Sequence, residues 1–421
     1  MTISIIITLC VLVLLSYFFD LTSKKTRIPS VILLLLVGWG VRQISYYLGI
    51  NVPDLSEILP IVGTIGLILI VLEGSMELEL KKSKKTLIIK SVLMAILPMA
   101  VLGVVLAYII QYVDDVPFKI ALTNALPLCI ISSAIAIPSV HALSKKDREF
   151  VTYETSISDI IGVIAFNFIS LNEVFGWATF GNFFLQILLT LFISFAGIIG
   201  LSVLLNKINH SVKFIPIIIL LVLFYAITKY FHLPGLIFIL LFGMFLGNLN
   251  LLHKTKWAQA FHVESLKKEF VRFSEIVAET TFLVRTLFFL LFGFLIETSE
   301  LLNLSALPWA IGITFAIFII RFIFLKFFKV KEKTLYYIAP RGLITILLFL
   351  SIVPEEVVPT VNKPLVTQIV ILSSFVMMIG LMVNKKMDIV EGGQEPVVLA
   401  SDEQNKTEEE LNNKEELDEA Q

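Results

Sequence analysis

Residues 151–171 read VTYETSISDIIGVIAFNFISL. The run is long and apolar enough to cross a bilayer core of about 30 Å, which takes roughly 20 residues of helix. It nevertheless carries Glu154 and, near its midpoint, Asp159. An ionised side chain at that depth costs about 2.5–3.5 kcal/mol on insertion scales and marks function by default. Helical spacing puts Thr155 and Asp159 on one face and Glu154 and Ser158 on the neighbouring one. A carboxylate beside hydroxyls is an oxygen-rich site for a hard monovalent cation, and it can take a proton instead. A purely structural Asp159 would pair with an arginine on another helix.

The rest of the chain has the same character. Of 421 residues 57% are hydrophobic and only 16% charged, against about 25% charged in a soluble domain. So apolar a chain could not cover its surface in water, which excludes a water-soluble enzyme. Cys10 and Cys129 both sit in apolar runs and make no disulfide framework. The five His show no metal spacing, and no P-loop, H-E-x-x-H or G-x-S-x-G is present. Basic residues are spread over short loops, so nucleic acid has no binding face.

Thirteen segments qualify as spans: 2–20, 28–48, 57–76, 86–110, 117–143, 151–171, 181–205, 214–230, 233–249, 271–296, 304–328, 334–353 and 364–384. The first lacks the basic start and cleavage site of a signal peptide. Alternate loops 21–27, 77–85, 144–150, 206–213, 251–270 and 329–333 hold 19 Lys/Arg, whereas the opposite loops hold only Lys363. The positive-inside rule makes the basic loops cytoplasmic, with the N-terminus outside and the C-terminus inside. Residues 388–421 carry 12 Asp/Glu and 2 Lys, so the formal net charge of −1 divides into +9 on residues 1–387 and −10 on the tail. The tail reads as disordered and cytosolic, open to an unknown partner. Segment 254–270 mixes charges with aromatics and reads either as a surface-lying amphipathic helix or as an ordinary loop.

Further charges lie inside spans. Arg285 stands at the depth of Asp159, where it can pair with an empty site or repel a second cation. Arg321 is level with Glu154, which predicts a Glu154–Arg321 bridge. Glu73 reads as an acid behind the site or as an interface residue. Glu275 and Glu279 read as an entrance lining or a helix-start cap. Two segments look interrupted: CIISSAIAIPSV, with Ser132, Ser133 and Pro138, and YIAPRGLITILL, with Pro340, Arg341 and Gly342. Proline removes a helix donor and glycine loosens the backbone. The two cross in opposite directions, and paired broken helices in inverted halves point to a transport site at the midplane. Asn124 and Asn167 read as interhelical hydrogen bonds, Gly243-x-x-x-Gly247 as helix packing, and His141 and His232 as interfacial, with His141 or His210 the alternative candidates for sensing pH.

Together these residues resemble the sodium/hydrogen exchanger family of the cation:proton antiporter superfamily, over roughly residues 5–385. The resemblance rests on Glu154-Thr-Ser-Ile-Ser-Asp159, similar to the family's E-S-x-x-N-D, and on the broken run around Ser132–Ser133. LEGSMEL around Glu73, VRTLFFLLFG around Arg285 and APRGL at 339–343 support it. It implies an all-α polytopic fold of about 13 transmembrane helices: two inverted six-helix repeats with crossed broken helices, and a core that moves against a dimerisation domain. It implies Asp159 as the shared cation and proton carboxylate, Thr155 as a ligand, Glu154 as the acid paired to an arginine, and a homodimer. Two departures stand out. Ser158 replaces the family's Asn, and a Ser-Ser-Ala-Ile run replaces its T-D-P, with no acid between Asp115 and Asp147.

The expectation is therefore a transmembrane antiporter domain over residues 1–387 with an acidic tail over 388–421. It sits in the cell membrane and exchanges a monovalent cation, Na⁺ foremost, for H⁺ by alternating access. Asp159, Thr155, Ser158, Ser132 and Ser133 form the ion site, and Glu154, Arg321, Arg285, Glu73 and Arg341 are supporting charges. Asp159 and Thr155 are the expected cation ligands. No cofactor is expected beyond the transported Na⁺ (or Li⁺/K⁺) and H⁺, and the partners are the lipid bilayer and a second copy. One alternative keeps the fold and moves K⁺, by exchange or efflux. Another is a non-transporting sensor or scaffold acting through the tail. An intramembrane hydrolase lacks a nucleophile–base pair at shared depth.

Overall fold

The computed structural model describes residues 11, 13–19, 22, 28–49, 55–140, 143–172, 176–207, 214–231, 233–252, 263–330 and 332–383. The acidic segment 388–421, His141, His210, His232 and most of the first expected span lie outside the described residues; 11, 13–19 and 22 are helical. The described residues belong to one unit, Met1–Lys386.

Every long element is helical, as apolar segments without water must be, since only a helix satisfies its backbone internally. In chain order they are α1 (Ser30–Tyr47), α2 (Ile58–Met76), α3 (Lys85–Asp114), α4 (Phe118–Ala125), α5 (Ser133–Ser139), α6 (Lys145–Leu171), α7 (Trp177–Lys207), α8 (Phe214–Tyr230), α9 (Leu236–Gly247), α10 (Val263–Leu295), α11 (Leu307–Phe327), α12 (Leu343–Leu350) and α13 (Lys363–Val383). Nine described helices, α4–α5 taken as one, are long and apolar enough to cross a membrane, and α8 and α9 are shorter apolar helices. The count of thirteen is not reproduced by length alone. Segment 334–353 divides into a 3₁₀ turn, Lys333–Tyr337, an extended stretch and the eight-residue α12. The amphipathic reading of 254–270 is corrected in part: from Val263 onward the chain is the start of α10, with 254–262 outside the described residues.

Two groups of helices pack. In one, α10 lies on α1 and α2, and α9 lies on α2 and α7. In the other, α3 lies on α4, α6 and α11, α5 on α6, and α11 on α13. Small residues bring backbones together within the first group. A Cβ on Gly38 would stand 2.3 Å from the Leu290 carbonyl oxygen, and one on Gly293 2.4 Å from that of Leu35. Gly243 and Gly247 face Ser75 and Met76 of α2 in the same way, so this motif packs helices. The groups meet where α2 touches α6 and α12. Exposed Phe184, Phe192 and Phe195 on α7 suit a helix bathed in lipid rather than water.

The interruptions follow their punctuation. After α4 a 3₁₀ turn, Leu126–Cys129, starts with Pro127 near its first position, and Ile130 and Ser132 are extended before α5 begins. On the other side Pro340, Arg341 and Gly342 form the stretch before α12. The two stretches cross, and the amide of Ser132 donates to the carbonyl of Pro340 at 2.9 Å.

Candidate functional site

Helix α6 starts from Ser144, whose side chain accepts the Asp147 amide. Nearly three turns further in, it buries Glu154, Thr155, Ser156, Ser158 and Asp159 to 1% exposure or less. Ser158 and Asp159 face the broken stretch between α4 and α5. Ser158 Oγ accepts the amide of Ile131 at 3.1 Å, one of the backbone donors that the interruption strands. Gly162 leaves room for Ile130 on the same side.

Asp159 sits against the start of α5. Its Oδ2 accepts the Ser133 amide at 3.3 Å and a short bond from the Ser133 hydroxyl. Its Oδ1 has no hydrogen-bond partner among the described residues, and neither has Thr155 Oγ1, one turn away, or Ser132 Oγ, next to Ser133. Buried polar atoms are ordinarily bonded, so three unpartnered oxygens, one of them on a carboxylate and two on residues close in sequence to it or to its partner Ser133, mark a candidate ligand site. Among the described residues no group of three His, Cys, Asp or Glu could hold a metal ion. The three unpartnered oxygens here comprise one carboxylate oxygen and two neutral hydroxyls.

Glu154 and Arg321 form a bidentate pair, with Nη1–Oε1 at 2.6 Å and Nη2–Oε2 at 3.0 Å. Arg321 Nε donates to the Leu335 carbonyl at 2.7 Å, so the pair ties α6, α11 and the turn before the second crossing stretch. Arg341 is buried without a carboxylate among its hydrogen-bond partners. Its Nε donates to the Leu128 carbonyl at 2.7 Å and its Nη1 to that of Ala339 at 3.2 Å. The guanidinium thus caps carbonyl ends freed where both helices break, where positive charge is favourable. Its own amide donates to Ser373 Oγ on α13 at 2.9 Å.

Other candidates stand apart. Arg285, half-buried on α10, makes no ion pair among the described residues, so the pairing with Asp159 is not formed here; Ser133 occupies that role. Glu73 is half-buried on α2, and Glu275 and Glu279 are exposed on α10. Asn124 donates to the Glu356 carbonyl at 2.7 Å and accepts the Val358 amide, fastening the segment before α13 to α4. Asn167 lines a ≈300 Å³ cavity with Asn182 and Gln186 of α7. Sequence reading missed Ser156, buried against Gly74 of α2, and Thr345 of α12, both without a hydrogen-bond partner among the described residues.

At the end where α3 and α6 start, a charged clasp holds the loop after α2. Glu79 bonds Lys81 at 2.8 Å and Lys84 at 2.7 Å, and Lys84 reaches Glu149 of α6 at 2.8 Å. Hydrogen bonds from Lys81 and Lys84 lower the Glu79 carboxyl to about 2. Burial favours the neutral amine of Lys84, but the carboxylates of Glu149 and Glu79 outweigh it and raise its pKa. Tyr153, next to Glu154, donates its hydroxyl to the Glu79 carbonyl at 2.6 Å.

The profile of the sodium/hydrogen exchanger transmembrane family matches residues 9–385. No curated protein matches the chain. Among solved structures, the sodium proton antiporter MjNhaP1 from Methanocaldococcus jannaschii at pH 8 superposes with a TM-score of 0.63 at 18% identity, covering 90% of this chain and 96% of that one. An electron-microscopy structure of the same antiporter gives 0.64 at 18% identity, with 91% and 95% covered. The fold is thus that of an antiporter, all-helical and crossing the membrane many times. Crossed broken helices around a buried acid and a match over nearly the whole length lead to one assignment: the chain belongs to the sodium/hydrogen exchanger family, cation:proton antiporters rather than enzymes.

Proposed function

We propose that the chain exchanges Na⁺ for H⁺ across the cell membrane by alternating access, with Asp159 binding either ion but not both. The observation that carries this reading is the divided state of its carboxylate: Oδ2 is held by Ser133 while Oδ1 faces no donor. A cation entering the candidate site would take Oδ1, Thr155 Oγ1 and Ser132 Oγ as oxygen ligands. A proton on Asp159 would remove the charge that attracts it. Competition then couples the fluxes, because a buried, empty carboxylate has no compensating charge and the core reorients poorly. One such acid gives one-for-one, electroneutral exchange. Ser158 is a positioning residue that holds the Ile131 amide, and Glu154, Arg321 and Arg341 set the broken helices around the site.

Loop charge supports an N-terminus outside and a C-terminus in the cytoplasm. A homodimer through the helix group of α1, α2, α9 and α10 completes the reading.

The test is purified protein in vesicles carrying an internal pH dye, challenged with Na⁺, Li⁺ and K⁺ over a range of pH. Na⁺ should release a proton gradient, its apparent KM should rise as pH falls, and a membrane potential should leave the rate unchanged. Movement with K⁺ alone would reassign the cargo on the same fold. No movement with any cation would reject antiport in favour of a sensor or scaffold.

A further inference from the structure

A ≈690 Å³ cavity opens at the end of the second helix group where α3 and α6 begin. Three elements line it: the start of α3, the start of α6 and the loop after α11. Each brings a lysine, namely Lys90, Lys146 and Lys329. Its wall also carries Lys84 and three acids, of which one is charge-paired and two accept only neutral donors, so the lining keeps a net charge of +1. Glu149 pairs with Lys84, Asp147 accepts the Ser144 hydroxyl, and Glu332 accepts the Thr334 amide and hydroxyl. The other lysines are not so engaged. Lys90 Nζ bonds only the Phe328 carbonyl, and the ammonium groups of Lys146 and Lys329 make no hydrogen bond or ion pair among the described residues. Both are exposed.

We infer that this cavity is a binding site for a phosphate group, carried by an anionic lipid headgroup of the inner leaflet or by free phosphate. Three ammonium groups from three separate elements suit an anion with several oxygens, and basic pockets between membrane helices on the cytoplasmic side take such headgroups. The floor of the cavity is Phe150 and Leu335. The Leu335 carbonyl also receives Arg321 Nε, so one lining residue of the cavity is tied to the Glu154–Arg321 bridge. Occupancy would fasten α3, α6 and the loop after α11 together. The cytoplasmic placement rests on the topology proposed above; the binding itself does not.

The test uses the full chain in neutral detergent, so it is independent of transport and orientation. Thermal unfolding is followed while phosphatidylglycerol, phosphatidylcholine or inorganic phosphate is titrated in. The variants are K146Q and K329G. Lys329 has φ +53°, a left-handed conformation that glycine adopts freely, so K329G removes the charge without straining the fold. Saturable stabilisation by phosphatidylglycerol alone supports a lipid headgroup, and saturable stabilisation by inorganic phosphate as well supports a site for phosphate itself. In either case each variant should weaken apparent affinity about fivefold, at roughly one lysine's share of anionic-headgroup attraction. K329G without ligand should unfold no earlier than wild type. Equal responses in wild type and variants, or no saturable response to either phosphate source, overturns the inference. Exchange by wild type in vesicles with no lysine-dependent phosphate effect would leave the transport reading standing and this site refuted.

Discussion

At the scale of single residues, the polar cluster separates into groups that hold the backbone and groups left open. Arg321 and Glu154 hold: removing one partner leaves a buried charge uncompensated. R321A should destabilise by about 3–5 kcal/mol, whereas replacing both with apolar residues of similar volume should recover most of it. Thermal unfolding in detergent measures both. Ser158 also holds. S158A leaves the Ile131 amide without its acceptor, at about 1–3 kcal/mol, and should slow transport through a displaced broken helix. A normal cation KM with a normal rate in S158A would contradict that role. The pairing of Glu154 with Arg321 was legible from depth alone, because a buried charge needs a partner at its own level. The division of labour between Ser132 and Ser133 was not. Hydroxyls in membrane helices often bond their own helix, as Thr152 and Thr281 do to the carbonyls four residues back, and sequence cannot tell these from ligands.

Among the elements, the two interruptions were legible because proline and glycine sit in otherwise apolar runs. What they create was not. The bond from Ser132 to Pro340 and the reach of Arg341 to Leu128 join residues more than 200 positions apart, and no local pattern encodes them. Of the two roles open to Arg285, the pairing with Asp159 is not formed, for a similar reason. Shared depth does not place two helices side by side, and the start of α5 reaches Asp159 instead. Close helix crossings carry their own prediction. A leucine at Gly293 would drive atoms into the α1 backbone at Leu35, so G293L should lose more stability than the about 1–3 kcal/mol of ordinary overpacking. A G312L control, where a Cβ meets nothing within 4 Å, should be close to neutral. The clasp at Glu79 predicts a pH dependence. Its carboxyl is lowered from 4.5 to about 2, so its contribution is complete above the unfolded value. That contribution is lost as pH falls through the folded one. Lys84, raised, contributes below its ordinary value of 10.5 and loses that contribution at higher pH. The unfolding temperature of wild type should therefore exceed that of E79Q at neutral pH, and the difference should shrink on acidification toward pH ~2.

For the whole molecule, the fold was readable in outline because the bilayer permits so few answers: apolar runs of bilayer length become helices. The exact number of crossings was less legible, since α8, α9 and the broken helices do not present a full apolar length to a counting rule. The architecture places one unsatisfied carboxylate oxygen at the crossing of two broken helices, between a group of helices that packs around α2 and one that packs around α3 and α6. The most direct measurement is Na⁺-driven proton movement in vesicles reconstituted with Asp159→Asn, beside wild type of matched unfolding temperature. The account predicts a folded variant with no Na⁺-dependent proton movement. A folded variant that still exchanges at a substantial fraction of the wild-type rate would contradict it.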